Sequence, residues 1–316
     1  MPEVITIGET MVLFSPMQNG PLRYVHGFQK SMAGAESNVA IGLTRLGHSC
    51  GWISRVGRDE FGEFLLREIR GEGVDVAQVK MDPEAPTGLM FKEIHEGRET
   101  KVYYYRRNSA ASRMSPDDLD EEYISRAKIL HLTGITPALS QSCRETVYRA
   151  IEMAREKGIL VSFDPNIRLK LWNRKEAAEV LGQILRRADI VLPGLDEAQM
   201  ILGLDEPDEI IDALLSFGIK KVALKLGKEG ALVADRESRI KVDGFKVDRV
   251  VDPIGAGDAY AAGFLAGILE GKSLLECGRL ANAMGAFAVT SRGDIEGLPT
   301  RSELEAFIEG HRQVAR

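Results

Sequence analysis

Apolar residues recur along the chain in short runs separated by amphipathic stretches, most regularly after Lys128. Residues 129–132, 159–163, 190–192 and 221–226 are short apolar runs that read as buried strands. Between them, Val147, Ala150, Ile151 and Ala154 share one helical face, as do Ala178, Leu181, Ile184 and Leu185. Further helices open near Leu195 and cover Ile210, Ile211, Leu214 and Leu215, and residues 231–234 continue as strand. Two closely packed helices, about 258–270 and 275–291, and a last C-terminal helix follow. The N-terminal part is less regular. Residues 4–9 and 52–57 read as core strands, and 37–46 as a helix stopped by Gly47. A helix is expected over 63–70. Residues 11–26 are strand-like and peripheral. Residues 87–95 and 101–106 read as a hairpin around a turn at 96–99. Strand and helix in alternation imply an α/β fold, a mostly parallel sheet with helices on both faces. The irregular segments, about 11–30 and 87–107, are expected to form a small β lid on a single domain spanning 1–316.

One polar break inside the apolar pattern stands out. Residues 259–269 carry almost no polar side chain and read as a buried helix, with Gly255-Ala256-Gly257-Asp258 at its start. Free N–H groups at a glycine-rich helix start suit an anion. A carboxylate there would repel a phosphate, unless it takes a proton from a hydroxyl while the amides hold a transferred phosphoryl group. The simpler reading is a helix cap. Two other glycine motifs are excluded. A dinucleotide fingerprint needs glycine where Tyr260 stands, and residues 267–273 are one residue too short for a P-loop and end a helix. In such sheets ligands sit outside the carboxyl ends of the strands, where Gly8-Glu9, residues 164–168, Glu197, Gly227 and the Gly255 turn all fall. That convergence favours chemistry over capping. A second glycine turn leads into the helix at 37–46, with Glu36, Ser37 and Asn38 as polar groups at its start.

Composition narrows the partners. A net charge of −6 argues against a nucleic-acid or anionic-membrane binder. Three widely spaced cysteines predict free, mostly buried thiols in a reducing compartment, and five histidines without ligand spacing argue against a caged transition metal. No apolar run is long enough to span a membrane and the first residues carry no basic-then-apolar signal, so a cytoplasmic location is expected.

The motifs at 34–40, 57–62, 225–230 and 252–258 together resemble those of the ribokinase-like carbohydrate kinases, the PfkB family, over nearly the whole chain. The last resembles the family signature Asp-Thr-x-Gly-Ala-Gly-Asp, with Pro253 in the threonine position. Within the family, Gly34-Ala35-Glu36-Ser37-Asn38, residues 104–112 and the Asp252-Pro253 variant look most like the 2-keto-3-deoxygluconate kinases. The resemblance implies a ribokinase-like fold and ATP-dependent phosphorylation of that sugar acid. A neutral sugar such as fructose or ribose is the alternative, and a non-catalytic sensor the third reading. It implies Asp258 as catalytic base, with Gly255, Ala256 and Gly257 as the anion hole. It implies Gly34, Glu36, Asn38, Tyr104, Arg106, Arg168 and Asp294 at the sugar, and Lys225, Gly227, Gly230 and Asn282 at ATP. Glu197 would organise Mg²⁺ through water, although Gly194 stands where the family has asparagine. A monovalent cation near the Asp252 turn and a homo-oligomer formed through the lid complete the expectation.

Overall fold

The computed structural model describes residues 1–95 and 100–314; the expected turn at 96–99 lies outside them. Among the described residues, thirteen strands form two sheets. They are β1 (Val4–Ile7), β2 (Met11–Pro16), β3 (Phe28–Ala33), β4 (Cys50–Gly57), β5 (Val79–Asp82), β6 (Leu89–Glu93), β7 (Lys101–Tyr105), β8 (Ile129–Thr133), β9 (Leu160–Asp164), β10 (Ile190–Val191), β11 (Lys221–Lys225), β12 (Ala231–Ala234) and β13 (Arg239–Val242). The helices are α1 (Ala35–Arg45), α2 (Glu60–Gly71), the single turns α3 (Glu121–Ile124) and α4 (Thr136–Leu139), α5 (Gln141–Glu156), α6 (Arg174–Leu185), α7 (Leu195–Leu202), α8 (Pro207–Ser216), α9 (Ala256–Leu269), α10 (Leu274–Ala288) and α11 (Arg301–Val314).

The large sheet has the order β13-β12-β11-β10-β9-β8-β1-β4-β5. It is parallel from β5 to β11, and β12 and β13 join antiparallel. The chain leaves β1 toward β4 and β5, then returns to the other side of β1 with β8. That reversal opens a crevice at the carboxyl ends of β1 and β8. Both faces are covered, as the alternation predicted. One buried cluster packs α1, α2, α9 and α10 on the sheet, and the other packs α5, α6 and α8. The small sheet, β3-β2-β6-β7, consists of two antiparallel hairpins joined through a parallel β2–β6 pair.

Helix α9 sits deep in the first cluster and its small residues explain how. A Cβ on Gly263 would lie 2.9 Å from backbone atoms of α10, one on Gly267 would meet Cys277, and one on Gly42 of α1 would meet Ala262. The three helices thus approach almost backbone to backbone, which fixes the start of α9.

Several expected boundaries move. Helix α1 begins at Ala35 rather than at residue 37, because Gly34 takes the extended N-cap conformation. Ser37 and Asn38 therefore lie inside the helix and cap nothing. The Ser37 hydroxyl donates to the Gly34 carbonyl at 3.0 Å and accepts from Thr10 at 2.7 Å. Helix α2 starts at Glu60, because Asp59 accepts from the N–H groups of Phe61 and Gly62 at 3.1 and 2.8 Å. Strands β3, β5 and β13 carry no apolar run in the sequence.

Candidate active site

Asp258 lies in the first turn of α9 and is buried. Its Oδ2 accepts from Asn38 Nδ2 at 2.8 Å, and its Oδ1 accepts from Asn166 Nδ2 at 3.3 Å. Burial pushes its carboxyl up to about 7; Asp164 and Asp294 add to the rise, against the Asn38 hydrogen bond and the Arg168 charge. A buried carboxylate poised near neutrality, held by two neutral amides, suits a general base. Asn166 reaches it because its backbone is left-handed, φ 38°.

The turn before α9 is built for close approach. Gly255 is its N-cap with φ 83°, and the main-chain carbonyl of Asp294 lies 2.9 Å from where a Cβ would stand. Only glycine fits both the angle and the space. The N–H groups of Ala256 and Gly257 open the helix, and that of Ala256 makes only a long 3.5 Å contact to the Pro253 carbonyl.

Two cavities meet at this turn. One, about 450 Å³, is lined by Gly34, Tyr104, Arg106, Arg168, Asp258 and Asp294, among others. The second, about 360 Å³, is lined by Gly227, Gly230, Phe245, Tyr260, Asn282 and Val289, among others. Lys225, Pro253 and Gly257 belong to both walls. A group passing between the cavities must cross there. The Lys225 ammonium stands at the crossing, 2.6 Å from Asp164 Oδ2 and 3.8 Å from the Cβ position of Gly257. Burial works against its charge, but Asp164, Glu197 and Asp258 outweigh that and hold its pKa above the ordinary value.

The two arginines of the first cavity are not equivalent. Arg106 Nε donates to Glu9 Oε2 at 2.6 Å, and Ser109 Oγ donates to Glu9 Oε1 at 2.5 Å. Its charge is thereby matched inside the protein. Arg168 donates to the carbonyl of Ile167 at 3.2 Å and forms no ion pair among the described residues. The cavity's uncompensated guanidinium is therefore Arg168.

The family then follows. The profile for the pfkB family carbohydrate kinases matches residues 1–301. The chain is a PfkB-family carbohydrate kinase. A 2-dehydro-3-deoxygluconokinase of Bacillus subtilis (strain 168) is 42% identical to this kinase over 314 residues, covering 99% of this chain and 97% of that one. A protein of the same name from Thermoproteus tenax is 40% identical, covering 98% and 95%. A crystal structure of a sugar-kinase relative from E. coli in complex with ATP and Mg²⁺ matches with a TM-score of 0.91 at 30% identity, covering 98% of this chain and all of that one.

In this kinase two of the expected sugar contacts lie elsewhere. Glu36 is fully buried beneath the cavity, where it accepts from Thr133 and Thr136 at 2.7 and 2.8 Å. Burial pushes its carboxyl above the ordinary value, and it stands so tightly against Gly8 that a Cβ there would overlap it. Asn38 spends its amide on Asp258 and is also buried. Asn282 lines the second cavity, yet its amide already donates to the carbonyls of Val242 and Asp243 at 2.9 and 3.0 Å. Glu197 holds the N–H groups of Ile167 and Gly194 at 2.7 and 2.8 Å. Because Gly194 offers no side chain, Glu197 braces that loop through the backbone instead. Among the described residues no cluster of His, Cys, Asp and Glu is built to hold a metal. Near the Asp252 turn, the position expected for a monovalent cation has the Lys92 ammonium beside it, 3.2 Å from Asp252. Sequence reasoning overlooked Lys92, Ser109 and the role of Asn166. Only Asn166 left a signal, as a residue tolerant of left-handed backbone directly after Asp164-Pro165.

Proposed function

We propose that this kinase transfers the terminal phosphoryl of ATP to the primary hydroxyl of 2-keto-3-deoxygluconate, giving the 6-phosphate. The sugar acid occupies the cavity of Tyr104, Arg106 and Arg168, and ATP occupies the cavity of Gly227, Gly230 and Asn282. Asp258 takes the hydroxyl proton. The N–H groups at the Gly255 turn and the Lys225 ammonium receive the charge of the phosphoryl as it crosses between the cavities. Mg²⁺ bound with ATP would neutralise phosphate charge, and Glu197 would hold it through water. The three cysteines are buried and free, which suits a reducing cytoplasm. No described helix is long and apolar enough to cross a membrane. A second copy of the chain would cover the exposed tyrosines of β7, Tyr103 and Tyr105, at the edge of the lid.

The unpaired Arg168 carries the choice of a sugar acid over a neutral sugar. A planar guanidinium with no ion-pair partner among the described residues fits a substrate carboxylate, whereas fructose would leave its charge unmatched. Efficiencies on the sugar acid and on fructose, measured for the wild type and Arg168→Ala, test this. A charged hydrogen bond is worth about 1.5–3 kcal/mol, so the variant should lose roughly 10- to 100-fold on the acid and little on fructose. Wild-type preference for fructose, or equal losses on both, would make the neutral-sugar kinase the better account.

A further inference from the structure

Lys92 projects from β6 of the lid and is only 2% exposed. Its ammonium lies 3.2 Å from Asp252 Oδ2 and 3.5 Å from Asp294 Oδ1. Its strand neighbour Glu93 faces the other way and meets His95 and the N–H of Leu22. A buried lysine is rare unless its charge is matched. Both partner residues touch the anion turn, Asp252 through its carboxylate and Asp294 through its main chain. Asp252 Oδ1 accepts from the N–H of Ile254 at 3.1 Å, and the Asp294 carbonyl packs against Gly255. Two carboxylates this close to a turn that must attract phosphoryl groups would repel them and each other. One ammonium, delivered by the lid, offsets that repulsion and ties the three segments together.

We propose that Lys92 is a positioning residue for phosphoryl transfer, a built-in cation that replaces a free monovalent ion beside the Asp252–Asp294 pair. The proposal rests on the phosphotransfer reading of the site. It acts at a distance from the reacting atoms: Lys92 holds the two acids, the acids hold the turn, and the turn holds the phosphoryl. The charged groups facing Asp258 are Asp164, Asp294, Arg168 and Lys225. Of these, Asp294 is the one whose counter-ion is Lys92.

The test compares wild type, Lys92→Met and Lys92→Ala on whichever sugar the wild type turns over best. Mg²⁺ is added as chloride, and the only monovalent cation is tetramethylammonium, too large for the site. Potassium or methylammonium is then titrated in. Wild-type rates should not respond to potassium. Lys92→Met should lose kcat by roughly 10²-fold, the scale of a misplaced reacting group, with KM for the sugar little changed. Its acid limb should move to higher pH, because an uncompensated Asp294 makes Asp258 harder to ionise. Methylammonium should restore part of the Lys92→Ala rate. Activation of the wild type by potassium, or a Lys92→Met variant with wild-type kcat and pH profile, overturns the proposal. If the variants do not fold, the wild-type potassium series alone decides it. A wild type that phosphorylates no sugar refutes the functional reading itself, whereas failure of the Lys92 role shows only in the variants and the cation series.

Discussion

At the scale of single residues, Asp258 concentrates the proposed chemistry. With its pKa raised from an ordinary 3.8 to about 7, the group must lose a proton to act as base. The acid limb of kcat/KM should therefore fall near neutrality, and a limb below pH 5 would mean that another group is the base. Asp258→Asn should bind ATP by calorimetry yet lose about 10²–10⁴ in turnover, the usual scale of general-base catalysis. Turnover within a few-fold of wild type would reduce Asp258 to a helix cap. The same shift has a stability consequence. Because the folded pKa lies above the unfolded one, this group's contribution to stability is full at low pH and lost as pH rises through about 7. Asp258→Asn removes that loss, so its melting temperature should gain on wild type between pH 5 and pH 8. Asn166 can turn its amide to suit the new side chain, since its Oδ1 has no partner now. How the sequence announced these residues follows from their chemistry. Asp258 was legible because a carboxylate opened an otherwise apolar helix. Glu36 looked the same on paper, but its direction depends on β8 and α4, which its own segment does not encode. The split between Arg106 and Arg168 was equally hidden, because Glu9 lies on a distant part of the chain.

At the scale of elements, α9 is held by the absence of side chains. Gly263→Ala would place a methyl 2.9 Å from Ala281 Cα and the Leu280 carbonyl, neither of which can move alone. Such overpacking costs about 1–3 kcal/mol, and denaturant titration should show it as a lower midpoint. Gly310→Ala in α11 is the contrast: nothing lies within 4 Å of the new Cβ, and the helix should gain about 0.5–1 kcal/mol. Which strands the sequence showed also has a physical basis. The central strands of the large sheet are buried and their apolar runs were plain. The strands that escaped, β3, β5 and β13, all lie at sheet edges. Their exposed positions, such as Lys30, Lys80 and Lys241, break any apolar pattern, and charge at an edge is what keeps it from pairing with other chains.

At the scale of the whole molecule, β7 is the exception to that protection. It closes the lid sheet at its free edge with Tyr105 67% and Tyr103 42% exposed, an apolar edge that invites a second copy. Light scattering should give a mass above that of one chain, and Tyr105→Lys should lower it; a monomeric wild type would remove the claim. The lid has one further property. Its parallel seam joins Val12 to Leu89 across a long stretch of chain, whereas the cavity proposed for ATP is lined entirely by residues between Lys225 and Val289. Closing a long loop costs entropy before its contacts repay it, so the seam should form late in folding and exchange its amide hydrogens early. A refolding chain would then acquire its nucleotide pocket before its sugar pocket, and an intermediate trapped by rapid mixing should bind ATP while still blind to the sugar.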